Sequence, residues 1–114
     1  DVCKSQYQIE PENYYLIHGE LWKGKLLINH NNFVGLIDQS TLYGNTEYEL
    51  AYLIMNGTFT KTFYEEYNDH SRIDKDFNRY RKDIYMLSPL IQYAIMNSGI
   101  YINEVVKILN RLKI

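Results

Sequence analysis

The stretch HGELWKGKLLINHNNFVGLID, residues 18–38, decides the fold. Leu26-Leu27-Ile28 and Phe33-Val34-Gly35-Leu36-Ile37 are two short apolar runs, separated by Asn29-His30-Asn31-Asn32. Apolar runs of this length read as strands. Asparagine tolerates the left-handed backbone angles of a tight reversal, so the spacing predicts a β-hairpin that ends on Asp38. Glu20 stands before the hairpin and Asp38 after it; Gly19 and Gly24 leave backbone room beside them, and Lys25 adds a cation. Two carboxylates converging at one end of a hairpin could hold a divalent cation and orient a hydroxyl for attack on a phosphate. Two acids on loops also read as solvated turn residues, and the residues alone leave both readings open.

Working outward, Tyr14 to Ile17 is a short β-prone run, and the polar residues 1–13 form a leading segment. A glycine-containing loop is expected after Asp38, through Gly44 and Asn45. The hydrophobic period then changes from strand-like to helical. Thr46-Glu47-Tyr48-Glu49 has the form of a capping box, and Leu50, Leu53 and Ile54 share one face of the helix it would open. Asn56-Gly57 stops that helix, and Phe59-Thr60 opens a second with Phe63, Tyr64 and Tyr67 inside. Asp74 caps a third, along which Phe77, Tyr80, Ile84, Leu87, Ile91 and Ile95 recur, with Pro89 expected to kink it. Asn97-Ser98-Gly99 ends the third, and Asn103 is expected to cap a last helix with Val105, Ile108, Leu109 and Leu112 on one stripe. The fold class is therefore mainly α with a small β-hairpin.

At 114 residues the chain makes one domain, with residues 14–114 as its body. Twelve Lys and Arg against fourteen Asp and Glu leave a formal charge of -2. That balance excludes a general electrostatic grip on nucleic acid or an anionic membrane, since no excess of cations exists to release counterions. It leaves room for a local phosphate site. The single cysteine, Cys3, cannot form an internal disulfide, so a reducing cytoplasm is the expected compartment. No apolar run approaches the ~20 residues that span a bilayer, and no signal peptide is visible at the N-terminus. No two of the three histidines have zinc-ligand spacing. His18 reads as a structural histidine that bonds the loop backbone, and His30, His70, Glu65 and Glu66 read as solvated. Trp22 reads first as packing the loop.

Four stretches in order, LIHGELWKGK (16–25), LIDQS (36–40), LYGNTEYELA (42–51) and GTFTKTFYEEY (57–67), resemble the C-terminal lobe of the fructosamine kinase (ketosamine kinase) family. That family belongs to the aminoglycoside-phosphotransferase-like branch of the protein-kinase-like fold. The resemblance covers about residues 14 to 112. It implies an ATP-dependent phosphotransferase that acts on a sugar-amine hydroxyl with Mg-ATP. The family's acceptor-orienting Asp falls on Glu20, its metal-binding Asn on Lys25, and its magnesium-ligating Asp on Asp38. The proline after that Asp is replaced by Gln39, and the family's helix-start Asp falls on Glu49. Trp22 and Tyr43 would border the acceptor pocket.

Glutamate at position 20 keeps the charge but sets it one methylene further out. An ammonium at position 25 cannot ligate magnesium, although it can pair with a phosphate oxygen. Kinases of this fold hold ATP with a smaller lobe, for which the few residues before Tyr14 leave no space, so a missing N-terminal lobe is expected to act in trans or from a longer parent. Activity by this chain alone is therefore expected to be poor. The alternative is a non-catalytic kinase-like remnant serving as a binding or oligomerising module. Exposed edges near Trp22 and Tyr43 then predict self-association, most simply as a two-fold dimer.

Overall fold

Two left-handed residues make the hairpin. His30 and Asn31 have φ of 49° and 63°, the pairing a two-residue reversal needs to match strand twist. The computed structural model describes residues 14–97 and 99–113. In it, β1 is Tyr14–Ile17, β2 Leu26–Asn29, β3 Asn32–Leu36 and β4 Leu42–Asn45, with a 3-10 turn at Lys23–Lys25 before β2. Strands β2 and β3 pair antiparallel, with Leu26 opposite Leu36 and a bulge between Leu27 and Ile28. Strands β1 and β4 form a second antiparallel pair, in which Tyr14 opposes Asn45 and Ile17 opposes Leu42.

The helices are α1 (Thr46–Met55), α2 (Lys61–His70), α3 (Lys82–Asn97) and α4 (Ile100–Leu112), with a π turn at Phe77–Arg81 leading into α3. A mainly helical chain with small antiparallel sheets is the expected class. The leading segment 1–13, Cys3 included, lies outside the described residues. Among the described residues, no helix is long and apolar enough to cross a membrane.

The chain divides into two compact units, one covering described residues 14–73 and the other 74–113. In the first, Ile17, Leu50, Ala51, Tyr52 and Leu53 are buried. The stop of α1 has a fully bonded form: the Gly57 amide donates to Ile54 and the Thr58 amide to Leu53. Gly57 holds φ at 59°, which suits glycine. Phe59 stacks on Phe63 at 4.0 Å, and Phe63 meets Tyr64 edge-on at 5.1 Å.

Phe77, Met86, Leu90, Ile108 and Leu112 are buried in the second unit, in which α3 packs against α4. Asp74 begins the helical run as expected: its Oδ1 accepts from the Asp76 amide at 2.7 Å. The helix continues through Pro89, which has no amide to donate to the preceding turn.

Four local expectations are corrected. Residues 42–45 form a strand, although Gly44 and Asn45 disfavour strands, because pairing with β1 supplies what local propensity does not. The cap of α1 is Asn45, whose Oδ1 accepts from the Glu47 amide at 2.8 Å; Thr46 already lies inside the helix. The last helix opens at Ile100 after Gly99, whose φ of 69° makes the reversal, so Asn103 is interior to it. Along α3 the buried positions are Asp83, Met86, Pro89 and Leu90, while Ile91 and Ile95 stay exposed. The apolar arc of α3 is wider than its interface with α4, and periodicity cannot say which part of such an arc is covered.

Candidate functional site

Strand β1 runs directly into His18, and its partner β4 runs directly into α1. Their antiparallel register sets the loop at residues 18–22 beside the segment that enters β4 at Leu42. Helix α1 leaves from the other end of the pair and packs back along both strands, which lets Glu49 reach the loop. Gly19 seals this meeting. A Cβ at Gly19 would collide with the Ser40 carbonyl, and its φ of 91° is one that glycine accepts readily. The Gly19 amide donates to Oε1 of Glu49 at 3.3 Å, so Glu49 ties helix to loop instead of closing a capping box.

His18 is buried and joins two segments. Its Nε2 lies 2.8 Å from the Ile37 carbonyl, and its Nδ1 accepts from the Glu20 amide at 3.3 Å. Together these bonds assign the neutral tautomer with the proton on Nε2. The structural role expected of this histidine is the one it takes. Ile37 in turn donates its amide to the Lys25 carbonyl at 3.0 Å. Glu20, Lys25 and Asp38 are thereby fastened into one corner through His18 and Ile37, and the side chains of Glu20 and Asp38 face solvent there.

Asp38 adopts φ of 51°, unusual for a residue with a side chain. Lys25 Nζ lies 4.0 Å from its Oδ2. Trp22 closes the floor of the loop: a Cβ at Gly24 would strike the indole ring, so the glycine lets the ring lie against the backbone. The Lys23 amide donates to Thr58 Oγ1 at 3.2 Å, a tether that no sequence signal distinguishes from other threonines. Tyr43 lies outside this corner, exposed on β4 with its ring 6.0 Å from that of Tyr14.

Comparison with known proteins identifies what the corner belongs to. The sequence model of the fructosamine kinase family matches residues 3–114. The chain belongs to the fructosamine kinase family. It is 29% identical over 97 residues to the probable ketoamine kinase of Staphylococcus aureus, covering 85% of this chain and 33% of that protein. With the ketosamine-3-kinase of Mus musculus it shares 40% identity over 60 residues, 53% of this chain and 18% of the relative. A solved structure assigned as a fructosamine-3-kinase, from Thermobifida fusca, superposes with a TM-score of 0.73 at 26% identity, over 92% of this chain and 36% of that one. A Haemophilus somnus structure with the same assignment shares the fold, with a TM-score of 0.75 at 20% identity, over 95% of this chain and 36% of that one. The chain spans about a third or less of the length of these curated relatives.

A kinase-like phosphotransferase family implies ATP and a divalent metal, and Asp38 is where the resemblance places magnesium. The side chains beside it do not fit a dication, because the Lys25 ammonium already faces the carboxylate. Among the described residues, no three His, Cys, Asp or Glu side chains gather as a group that could hold a metal ion.

Proposed function

We propose that this chain is the acceptor-presenting part of a fructosamine-type kinase, which moves the terminal phosphoryl group of ATP to a hydroxyl of a sugar-amine adduct. One observation carries the reading: in a chain of this family, the His18–Ile37 bond fastens the Glu20 loop to the corner of Lys25 and Asp38. Glu20 accepts a hydrogen bond from the acceptor hydroxyl and takes its proton as that oxygen attacks phosphorus. Lys25 neutralises charge on the transferred group. ATP supplies the phosphoryl group when bound, and in this reading the groups that grip it come from outside residues 1–114 or from a second chain. The extra methylene of Glu20 shifts its carboxylate, and a misplacement near 1 Å costs on the order of a hundredfold in rate, so turnover is slow. The lone cysteine suits a cytoplasmic enzyme.

The test is mass-spectrometric detection of phosphate on a fructosyl-amine after incubation with ATP and with this chain supplied together with its ATP-gripping part, with Glu20→Gln as control. Transfer that Glu20→Gln abolishes supports the reading. A wild-type signal no higher than that of the variant sinks it.

A second reading, a non-catalytic module that associates with itself, draws on the hairpin surface, where Ile28, Phe33 and Val34 stand exposed. Light scattering that shows a concentration-dependent dimer, dispersed by Phe33→Glu, supports it. A monomer at every concentration removes it.

A further inference from the structure

Lys25 and Asp38 are not two surface charges that drift together. The Lys25 amide donates to the Trp22 carbonyl at 2.8 Å, and its carbonyl receives the Ile37 amide at 3.0 Å. The lysine backbone is therefore fixed on both sides at the base of the hairpin, just before the Leu26–Leu36 pair. Its side chain is only 20% exposed, so the stem is packed and the ammonium has little freedom to swing away. Asp38, 75% exposed at its side chain, leaves the hairpin with a left-handed backbone, and its carboxylate comes to rest 4.0 Å from that ammonium. A dication approaching the carboxylate meets a fixed positive charge, and the ammonium offers it no lone pair.

We propose that Lys25 is a chain-encoded cation that takes the place of a divalent metal at Asp38. The corner then meets the negative charge of a phosphoryl group with an ammonium, and no metal bridges through the carboxylate. The phosphoryl part rests on the phosphotransferase reading above; the exclusion of metal rests on the Lys25–Asp38 pair alone.

The experiment titrates manganese(II), with no nucleotide present, into the full chain and follows water-proton relaxation. Wild type and Asp38→Asn are expected to give the same weak, unsaturated response up to millimolar metal. Lys25→Asn is expected to gain at least tenfold in affinity, and Lys25→Asn/Asp38→Asn to lose that gain. Saturable binding by wild type that Asp38→Asn removes would overturn the proposal. So would a Lys25→Asn protein, folded by circular dichroism, that binds no better than wild type. The wild-type comparison with Asp38→Asn decides the matter even if Lys25→Asn does not fold. Failure of phosphate transfer leaves this result untouched, because the relaxation signal needs neither ATP nor acceptor.

Discussion

The Nε2 of His18 meets the carbonyl of Ile37 at 2.8 Å across nineteen residues of sequence, and this bond holds the candidate site together. One ring nitrogen serves the residue before Asp38 and the other serves the amide of Glu20. His18→Ala removes the partner of a carbonyl and an amide in a part-buried place, at a cost of about 1–2 kcal/mol. Urea unfolding reads that loss. Nitrogen-15 spectra of the wild-type ring are expected to show the proton on Nε2, and a proton on Nδ1 would refute the clamp.

Gly19 sets how closely the loop approaches Ser40. Alanine there must clear the Ser40 carbonyl and hold φ at 91°, so Gly19→Ala is expected to destabilise by roughly 2–5 kcal/mol. Gly35 is the control. A Cβ at Gly35 meets nothing within 4 Å, and Gly35→Ala is expected to stay within about 0.5 kcal/mol of wild type. Thermal melts of the two variants side by side test the contrast. Equal effects would mean that the loop can move off Ser40.

Such details mark how far the sequence could be read. The hairpin was legible because Asn29-His30-Asn31-Asn32 between apolar runs admits few other structures. The four helices were legible from their period and from stops such as Asn56-Gly57. Strand β4 was hidden because Leu42-Tyr43-Gly44-Asn45 has little strand propensity of its own and forms only against β1. Glu49 was misread for a related reason: its spacing from Thr46 is that of a capping box, but the partner it finds, the Gly19 amide, lies thirty residues away. The burial of Asp83 was equally out of reach, since an acid within an apolar stripe is silent about a distant arginine. The charged corner itself stood in the motif, but the face-to-face placement of Lys25 and Asp38 needed the hairpin register.

Acid should weaken the second unit through Asp74. The Asp76 amide at its Oδ1, followed by the Arg81 guanidinium 3.2 Å away, holds the Asp74 carboxyl below the usual aspartate range. The folded chain thus binds that proton less readily than the unfolded chain. The resulting stability is present above the unfolded value and is lost as pH falls through the folded one, a window beneath about pH 4. Asp74→Asn can still accept from the Asp76 amide but loses the charge that faces Arg81. Its melting temperature is expected to fall below wild type at neutral pH, with the gap closing as the solution is acidified below about pH 4. A gap of constant size down to about pH 2 would assign the effect to something other than this carboxylate.

The Asp83–Arg111 pair lends itself to a sharper division of effects. Arg111 donates through Nε at 2.9 Å and through a terminal nitrogen at 2.7 Å to the two oxygens of a carboxylate that is only 10% exposed. This fork joins α3 to α4, and the carboxylate raises the Arg111 pKa, chiefly through these hydrogen bonds. Arg111→Met leaves a charge unpaired in a nearly dry place, which typically costs about 3 kcal/mol; the solvent that reaches the arginine side trims this toward 2. Arg111→Lys keeps the charge but not the planar fork, so it should fall between wild type and Arg111→Met. Asp83→Asn combined with Arg111→Met removes both charges and should recover part of the loss, because no unpaired ion then remains inside. Urea unfolding of wild type, Asp83→Asn, Arg111→Met and the double variant closes the cycle, with Arg111→Lys measured beside them. A double variant no more stable than Arg111→Met would show that the fork contributes geometry at the α3–α4 junction beyond the satisfaction of a buried charge.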